Sequence, residues 1–405
     1  MTMKLLLLLG ILFCGVACNQ VKTYTIEGHI PGAADGVVVR LADLGYYPEV
    51  ILDSTIIKGE KFVLKGKQPL IYPKYCKLII DKTPQETDGF KKQLKAYSFF
   101  VDNSRIRFEC QIDSMPSYYW EPVSKEHNVT LSGSPTQDLY NQYQGSVREL
   151  TKRSADLWNK YLEVYHCPAI DGIFNTEEGM QIVREREAVT EQINQATLEF
   201  IRNNKASVVG IFVANWMLNR RKSDMTVSEI KAVVDNFDSS VQESELMDGL
   251  RETAERMYCT AKGVKYHDIE LTDLKGEKVK LSEFVKPGVY NMLEFWASWC
   301  GPCRGEIPHL RHLYQSGGKD NLNMISISID ERDADWKKAV QEENMEWIQL
   351  CDQKGFKGGV RSVYQVNGVP FCLILDPEGK IVRGGVRGAE LDVVVKDLLG
   401  DKIKL

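Results

Sequence analysis

Apolar residues recur at every second position in much of the stretch formed by residues 21–132. Successive side chains of a β-strand point to opposite faces, so a period of two is typical of strands with one buried face. The runs Tyr24–Ile26, Val37–Leu41 and Ile106–Cys110 show this period most clearly. We therefore predict an all-β domain over residues 21–132.

Two short stretches of turn-forming residues interrupt this pattern, Lys58-Gly59-Glu60 and Asp102-Asn103. Gly, Asn and Asp tolerate the backbone conformations that tight turns require. We expect each stretch to connect the two strands of a hairpin.

From residue 134 to residue 262 the apolar positions recur at steps of three and four. Residues at this spacing lie on one face of an α-helix. The series are Leu139, Tyr143, Val147, Leu150, Leu157, Tyr161 and Val164, followed by Val189, Ile193, Ala196 and Phe200. Pro168 and Gly172 separate the two series, because both residue types interrupt helices. We predict a helical region over residues 134–262, with its apolar stripes buried as core.

In residues 263–405, short apolar runs alternate with amphipathic segments. The predicted strands are Val289–Phe295, Met324–Ile329, Phe371–Leu375 and Lys380–Arg383, after a hairpin within Leu271–Leu281. The predicted helices run from Cys300 to about Tyr314, from Asp335 to Glu342 and from Glu390 to Leu399. Strands that alternate with helices predict an α/β sandwich.

The bulk composition adds little to this division. The chain has 405 residues, of which 43% are hydrophobic and 26% charged, as expected for two or three folded domains. The net charge is −5, and the sequence has no tract of lysine and arginine. Nucleic acid is therefore not an expected partner.

The first 18 residues have the features of a processing segment. Lys4 precedes the apolar run Leu5–Phe13, which is too short to span a bilayer as a helix. The following Gly15-Val16-Ala17-Cys18 resembles a bacterial lipobox, although Gly15 stands where leucine is usual. We predict a lipoprotein signal peptide and anchor over residues 1–18, with lipidation at Cys18, and hence a membrane-anchored location in the cell envelope. The alternative is a plain secretory signal cleaved nearby.

The run Cys300-Gly301-Pro302-Cys303 carries the candidate chemistry. Two cysteines three positions apart on the first turn of a helix bring their sulfur atoms close enough for a disulfide. The helix N-terminus favours the thiolate of the first, so Cys300 is the predicted nucleophile. Cys303 is then the predicted resolving cysteine. Gly301 leaves room for a substrate backbone, and Pro302 suits a first-turn position.

A zinc site is the alternative for one Cys-x-x-Cys pair. A closed zinc site needs four ligands, and the candidates for the other two are His309 and His312, one helical turn away. The sequence has no second Cys-x-x-Cys pair. The flanking aromatic residues fit a thiol–disulfide site better, so we predict neither a metal nor another cofactor.

Residues 296–303, Trp-Ala-Ser-Trp-Cys-Gly-Pro-Cys, are similar to the active-site motif of the thioredoxin superfamily. Residues 304–308, Arg-Gly-Glu-Ile-Pro, resemble the continuation found in its membrane-tethered, periplasm-facing TlpA- and ResA-like branch, whose thioredoxin domains are of the AhpC/TSA type. The resemblance covers about the last third of the chain and implies a thioredoxin-like sandwich. Residues 21–132 resemble the N-terminal β-domain of unknown function that is common in thioredoxin-like lipoproteins of the Bacteroidetes type.

The resemblance also implies a substrate-binding surface. Pro370 matches the position of the family's cis-proline, and the backbone of Val369 before it would pair with an extended substrate. Together with Trp299, Gly301 and Pro302, these residues are the predicted substrate-binding set. The alternative for Pro370 is a trans proline that opens a strand.

Two glutamates are further candidates for catalysis. Glu294 interrupts an apolar strand, where burial raises the pKa of a carboxyl group and suits it to proton exchange with Cys303. The alternative is a carboxylate neutralised by a neighbouring lysine. Glu306 lies one helical turn beyond Cys303 and matches a glutamate that tunes cysteine acidity in ResA-like proteins. The alternative for Glu306 is a position that faces solvent.

Six further cysteines lie outside the signal segment and the motif. They are scattered along the chain, unlike a disulfide scaffold, and we expect most of them to be buried and free. They are Cys76, Cys110, Cys167, Cys259, Cys351 and Cys372. Cys372 is of special interest because it lies two residues after Pro370.

The resemblance therefore implies a lipid-anchored thiol–disulfide oxidoreductase that reduces disulfides in envelope proteins. Gly-Pro between the cysteines resembles the reducing end of the family, where potentials lie near roughly −270 mV against roughly −120 mV for strong oxidants. Such an enzyme needs an upstream electron donor, and we expect a membrane thiol-transfer protein. The alternative is a redox-controlled binding module that docks a partner without turnover.

Overall fold

The computed structural model describes residues 22–45, 48–83, 92–119 and 128–405. The predicted signal peptide and Cys18 lie outside the described residues. Contacts divide the chain into two compact units, residues 1–138 and 139–405. The helical region therefore belongs to the same unit as the C-terminal α/β part. No helix in the described ranges is both long and apolar enough to cross a membrane.

The first unit is all-β, as predicted. Its strands are β1 Thr25–His29, β2 Val38–Asp43, β3 Val50–Ile56, β4 Lys61–Lys65, β5 Lys74–Asp81, β6 Leu94–Val101, β7 Arg105–Glu109 and β8 Thr130–Ser132. They form two four-stranded sheets with the orders β4-β1-β7-β8 and β3-β2-β5-β6. One buried cluster contains residues of both sheets, among them Ile26, Phe108, Leu41 and Phe99. The two sheets therefore share one hydrophobic core.

The hairpin prediction holds only locally at Lys58–Glu60, where Lys58 and Lys61 form an antiparallel bridge, and it was wrong for Asp102-Asn103. Lys58–Glu60 connects β3 to β4, and Asp102-Asn103 connects β6 to β7. In both cases the two strands belong to different sheets. Turn residues show where the chain reverses, but the packing of the sheets decides which strands pair.

The helical region follows the predicted period. Its helices are α1 Pro135–Tyr161, α2 Cys167–Ile170, α3 Thr176–Asn203, α4 Val208–Arg221, α5 Val227–Val234 and α6 Glu245–Tyr258. A π-helical turn, Leu162–His166, joins α1 to α2, and Gly172 has a positive φ of 79° in the connection to α3. Both features lie at the predicted break, where a left-handed backbone conformation requires glycine.

The C-terminal part is the predicted thioredoxin-like α/β sandwich. Its strands are β9 Glu270–Asp273, β10 Lys278–Lys280, β11 Tyr290–Trp296, β12 Leu322–Ser328, β13 Ile348–Cys351, β14 Phe371–Leu375 and β15 Ile381–Gly384. Its helices are α7 Gly301–Leu313, α8 Lys319–Asn321, α9 Asp333–Glu342, α10 Gly359–Ser362 and α11 Ala389–Leu399. The strand order is β10-β9-β13-β12-β11-β14-β15. Strand β13 was not predicted, because four residues are too few to show a period.

The central strand β11 positions the site. It pairs in parallel with β12 on one side and antiparallel with β14 on the other. Six of its seven residues are buried, which explains the nearly continuous apolar run. The strand ends at Trp296, and the chain then turns into α7 at the Cys-x-x-Cys pair.

The helical region covers one side of the α/β part. Helix α3 packs along α11, and α2 packs against α7. Close packing occurs at Gly179, where a Cβ atom would stand 2.4 Å from the Tyr165 ring and 3.1 Å from the Cβ of Ala389. A larger side chain would not fit there, so the glycine permits the approach of α3 to α11.

Candidate active site

Cys300 and Cys303 form a disulfide at the N-terminus of α7, with their Cα atoms 5.2 Å apart. Cys300 is the N-cap residue, and its Sγ accepts a hydrogen bond of 3.2 Å from the backbone N–H of Cys303. Cys300 keeps 6% of its surface exposed, whereas Cys303 is fully buried. Gly301 and Pro302 are exposed. The first cysteine is therefore the one that a partner can reach, and the helix N-terminus stabilises its thiolate.

The segment before β14 faces the disulfide. The peptide bond between Val369 and Pro370 is cis. The carbonyl oxygen of Val369 lies 3.6 Å from Sγ of Cys300. The structure thus brings three members of the predicted substrate-binding set, Val369, Pro370 and Gly301, to the same end of α7.

Trp299, which directly precedes Cys300, lies next to a second exposed aromatic side chain, Phe356. Trp299 is 62% exposed and Phe356 is 39% exposed. Their ring centroids are 6.2 Å apart. Phe356 was missed by sequence reasoning, because it is an isolated apolar residue between glycine and lysine, with no period around it. Exposed aromatic rings beside a reactive group favour contact with a partner.

Glu294 is almost completely buried, with 3% of its surface exposed. One carboxylate oxygen, Oε2, accepts a hydrogen bond from the hydroxyl of Ser326. The other oxygen, Oε1, is buried and has no hydrogen-bond partner among the described residues. Burial raises the pKa of Glu294 to about 7, the Ser326 hydrogen bond opposes the shift, and the charge of Glu306 adds to it. The partner is thus a serine, and the alternative of a lysine was wrong.

Glu306 is also buried, with 7% of its surface exposed, so the solvent-facing alternative was wrong. Its Oε1 lies 3.0 Å from Nδ1 of His309 and accepts a 2.6 Å hydrogen bond from the N–H of Gly388. Burial alone would raise the pKa of Glu306, but the bonds to His309 and Gly388 outweigh burial and lower it. Glu306 is therefore held as a carboxylate.

His309 lies between two carboxylates. Its Nε2 is 2.8 Å from Oδ1 of Asp392 on α11, and Tyr165 of the helical region donates a 2.9 Å hydrogen bond to Oδ2 of the same aspartate. Burial alone would lower the pKa of His309, but Asp392 and Glu306 raise it to about 10. We call Glu306, His309, Asp392 and Tyr165 the imidazolium cluster.

The two histidines of the zinc alternative have other partners. His309 has both ring nitrogens engaged by carboxylates within the imidazolium cluster. His312 stacks on Phe174, with ring centroids 4.3 Å apart. These contacts do not support the two histidines as zinc ligands together with the cysteine pair.

The two buried glutamates therefore have opposite pKa shifts. Glu294 takes up and releases a proton near neutral pH, while Glu306 stays ionised. A pair of carboxyl groups whose surroundings separate their pKa values is suited to different tasks in one reaction. Glu294 fits proton exchange, and Glu306 supplies a fixed negative charge one turn beyond Cys303.

Four of the remaining six cysteines are buried, in agreement with the expectation. Cys167 is exposed and Cys259 is half-buried. Cys372 is paired with Glu294 across the β11–β14 ladder. Burial raises the pKa of the Cys372 thiol well above its ordinary value, and the charges of Glu294 and Glu306 raise it further. Cys372 is therefore a neutral thiol near neutral pH.

Comparison with known proteins identifies two matched regions of the chain. Residues 263–383 match the AhpC/TSA family, and residues 24–140 match a domain of unknown function, DUF4369. The thiol-disulfide oxidoreductase ResA of Bacillus thuringiensis subsp. konkukian is 32% identical over 114 residues, which are 28% of this chain and 62% of that protein. ResA of Geobacillus kaustophilus is 28% identical over 114 residues, which cover 28% of this chain and 63% of that protein.

Solved structures from Bacteroides species are similar to the same part of the chain. The thioredoxin domain of a thiol-disulfide oxidoreductase from Bacteroides vulgatus is 35% identical and covers 35% of this chain and 99% of that one, with a TM-score of 0.32. A thiol-disulfide oxidoreductase from Bacteroides fragilis is 31% identical and covers 34% of this chain and 100% of that one, with a TM-score of 0.31. The matched region of this chain spans 62% of the length of the ResA protein from B. thuringiensis.

Proposed function

We propose that the C-terminal part of this chain is a thiol-disulfide oxidoreductase that reduces disulfides of proteins in the cell envelope. The observation that carries the proposal is the position of the cysteine pair. Cys300 caps α7 and lies 3.6 Å from the Val369 carbonyl next to the cis-proline, so an extended client segment has a backbone acceptor beside the reactive sulfur.

In the proposed reaction the dithiol form attacks a client disulfide. The thiolate of Cys300 bonds to one client sulfur, and the other client sulfur leaves as a thiolate that takes up a proton. Cys303 then loses its proton, attacks Sγ of Cys300 and releases the second client thiol. The enzyme is left with the Cys300–Cys303 disulfide, and the client has gained two electrons and two protons. A thiol donor, which we propose to be a membrane thiol-transfer protein, returns the site to the dithiol.

Glu294 is the proposed acceptor of the Cys303 proton. Its Oε1 is buried and unpaired within the described ranges, and its pKa of about 7 lets it exchange a proton at neutral pH. The charge of Glu306, which lies one turn beyond Cys303 on α7, raises the pKa of Glu294, so the two carboxyl groups are close enough to interact.

Replacing Glu294 with glutamine should slow the step that needs Cys303 deprotonated by about 100-fold at neutral pH, because the proton acceptor is lost. Attack by Cys300 on the client should change little. In the wild type the second step should accelerate as the pH rises through about 7, where Glu294 ionises, and this dependence should vanish in the variant. Stopped-flow measurement of the two half-reactions separates the steps. Equal slowing of both would indicate damaged packing instead.

The envelope location rests on the proposed lipid anchor at Cys18. The small residues Gly15 and Ala17 before it support lipidation, and the apolar run Leu5–Phe13 is too short to anchor the chain by itself. Mass spectrometry of the membrane fraction should find an N-terminal peptide that begins at a diacylated Cys18. A Cys18→Ser variant should lose the modification and leave the membrane fraction. An unmodified N-terminus at another residue would remove the anchor from the proposal.

A further inference from the structure

We propose that Ser326 and Trp347 form a buried hydrogen-bond relay that fixes Glu294, holding one carboxylate oxygen and leaving the other as the position for the exchanged proton. The relay would make both residues positioning residues for the redox reaction. The inference rests on the proposed function for its role in turnover, while the relay itself can be measured without a client.

The relay crosses three strands or strand ends. Ser326 on β12 is the register partner of Glu294 on β11. Trp347 directly precedes β13 and donates a hydrogen bond of 2.8 Å from Nε1–H to Oγ of Ser326. The Ser326 hydroxyl in turn donates to Oε2 of Glu294. Ser326 is fully buried, and Trp347 is 6% exposed, so water does not compete for these groups.

The indole sets the direction of the relay. A tryptophan side chain donates hydrogen bonds and does not accept them, whereas a serine hydroxyl does both. Because Trp347 occupies a lone pair of Oγ, the hydroxyl hydrogen of Ser326 has Glu294 as its acceptor. A hydroxyl that donates to a carboxyl group favours its charged form. The relay therefore opposes the effect of burial on Glu294 and keeps its proton exchangeable near neutral pH.

The second carboxylate oxygen of Glu294, Oε1, is the proposed position of the exchanged proton. Oε1 is buried without a partner in the part of the chain that the structure describes. Burying a carboxylate oxygen without a hydrogen bond costs free energy, so such an atom in a folded protein favours a catalytic role. Two other titratable groups interact with Glu294, namely Cys372, its register partner on β14, and Glu306 on α7, one turn beyond Cys303. Cys372 stays protonated and Glu306 stays ionised, so neither exchanges a proton with Glu294 near pH 7. The proposed exchange partner is therefore Cys303, the resolving cysteine of the proposed function.

The relay is tested by the titration of Glu294 in the full chain with the disulfide intact. The signal is the carboxyl carbon of Glu294 in NMR spectra of protein labelled with ¹³C-glutamate, assigned by its loss in Glu294→Gln. Ser326→Ala should raise the titration midpoint by about one pH unit, because a hydrogen bond to the charged form is lost. Trp347→Phe should shift the midpoint in the same direction by less. Ser326→Thr, which keeps the hydroxyl, should restore it towards the wild-type value.

Ser328→Ala is the matched control. Ser328 lies two residues along β12, is also fully buried and also donates to a carboxylate, that of Asp330. Its loss should cost stability without moving the Glu294 midpoint. An unchanged midpoint in Ser326→Ala, or an equal shift in Ser328→Ala, overturns the relay. If Ser326→Ala does not fold, an unchanged midpoint in Trp347→Phe overturns the relay, and a smaller shift in the expected direction supports it.

The same variants distinguish the relay from the proposed function. If Ser326→Ala shifts the Glu294 midpoint but the wild-type protein reduces no protein disulfide, the relay stays in place and the reductase proposal is removed. An unshifted midpoint in Ser326→Ala, together with disulfide reduction by the wild type, would remove the relay and leave the reductase proposal in place. In an active enzyme, Ser326→Ala should move the pH dependence of the second half-reaction by the same amount as the NMR midpoint.

Discussion

Replacing Cys303 with serine is expected to stop turnover and to leave client proteins covalently bonded to Cys300. Cys300 lies at the accessible N-cap of α7, so it should still attack a client disulfide. The serine hydroxyl cannot displace the client from the mixed disulfide, and steady-state reduction should fall by at least about 1000-fold. Mass spectrometry of adducts recovered from envelope extracts would identify the trapped clients.

Two control variants make this experiment specific. Cys300→Ser should trap few clients, because the remaining Cys303 is fully buried. Cys372→Ser removes another buried thiol close to Glu294 and should leave turnover nearly unchanged, since Cys372 has no step in the proposed reaction. If Cys303→Ser collects no envelope protein where the wild type cycles between its redox forms, the binding-module alternative replaces the reductase proposal.

Asp392→Asn is expected to lower the free energy of unfolding by about 3 kcal/mol, because it leaves the buried charge of His309 with one fewer counterion. Asp392 is completely buried and bonded to both His309 and Tyr165. The control is Glu390→Gln on the same helix, which breaks a half-exposed ion pair with Arg186. That pair is partly screened by water, so its loss should cost less than about 1 kcal/mol. Urea unfolding at neutral pH measures both. Equal losses of unfolding free energy in the two variants would show that the imidazolium cluster contributes no more to stability than a partly exposed ion pair.

The same cluster predicts a pH dependence of stability. His309 has a pKa of about 10 in the folded chain against an ordinary value of 6.5. Its contribution to stability is therefore complete below pH 6.5 and is lost as the pH rises towards 10. Between these values the free energy of unfolding should fall more steeply in the wild type than in Asp392→Asn. Parallel curves for the two proteins would mean that His309 is neutral in the folded chain.

Much of this architecture was readable from the sequence, because the signals are local. A period of two indicated the β-domain, and steps of three and four indicated the long helices α1 and α3. The family motif over residues 296–303 predicted the thioredoxin-like fold, which the structure and the match to the AhpC/TSA family bear out. A single polar residue within the apolar run of β11 identified Glu294 as a buried acid, since a strand that is covered on both faces of its sheet buries nearly every position.

The partners of these residues were decided by tertiary structure alone. Burial raises the pKa of Glu294, and the hydrogen bond from Ser326 opposes that shift. Ser326 lies 32 positions away and becomes a neighbour of Glu294 only through the parallel register of β11 and β12. Glu306 is buried rather than exposed because residues from the far end of the chain pack against it. The N–H of Gly388 donates a hydrogen bond to Glu306, and Asp392 is bonded to His309, the neighbour of Glu306. Hydrogen bonds and Coulomb interactions act over a few ångströms in space, whatever the separation in sequence. The sequence by itself thus determined which groups carry the chemistry, while the packing of distant strands and helices determined their protonation.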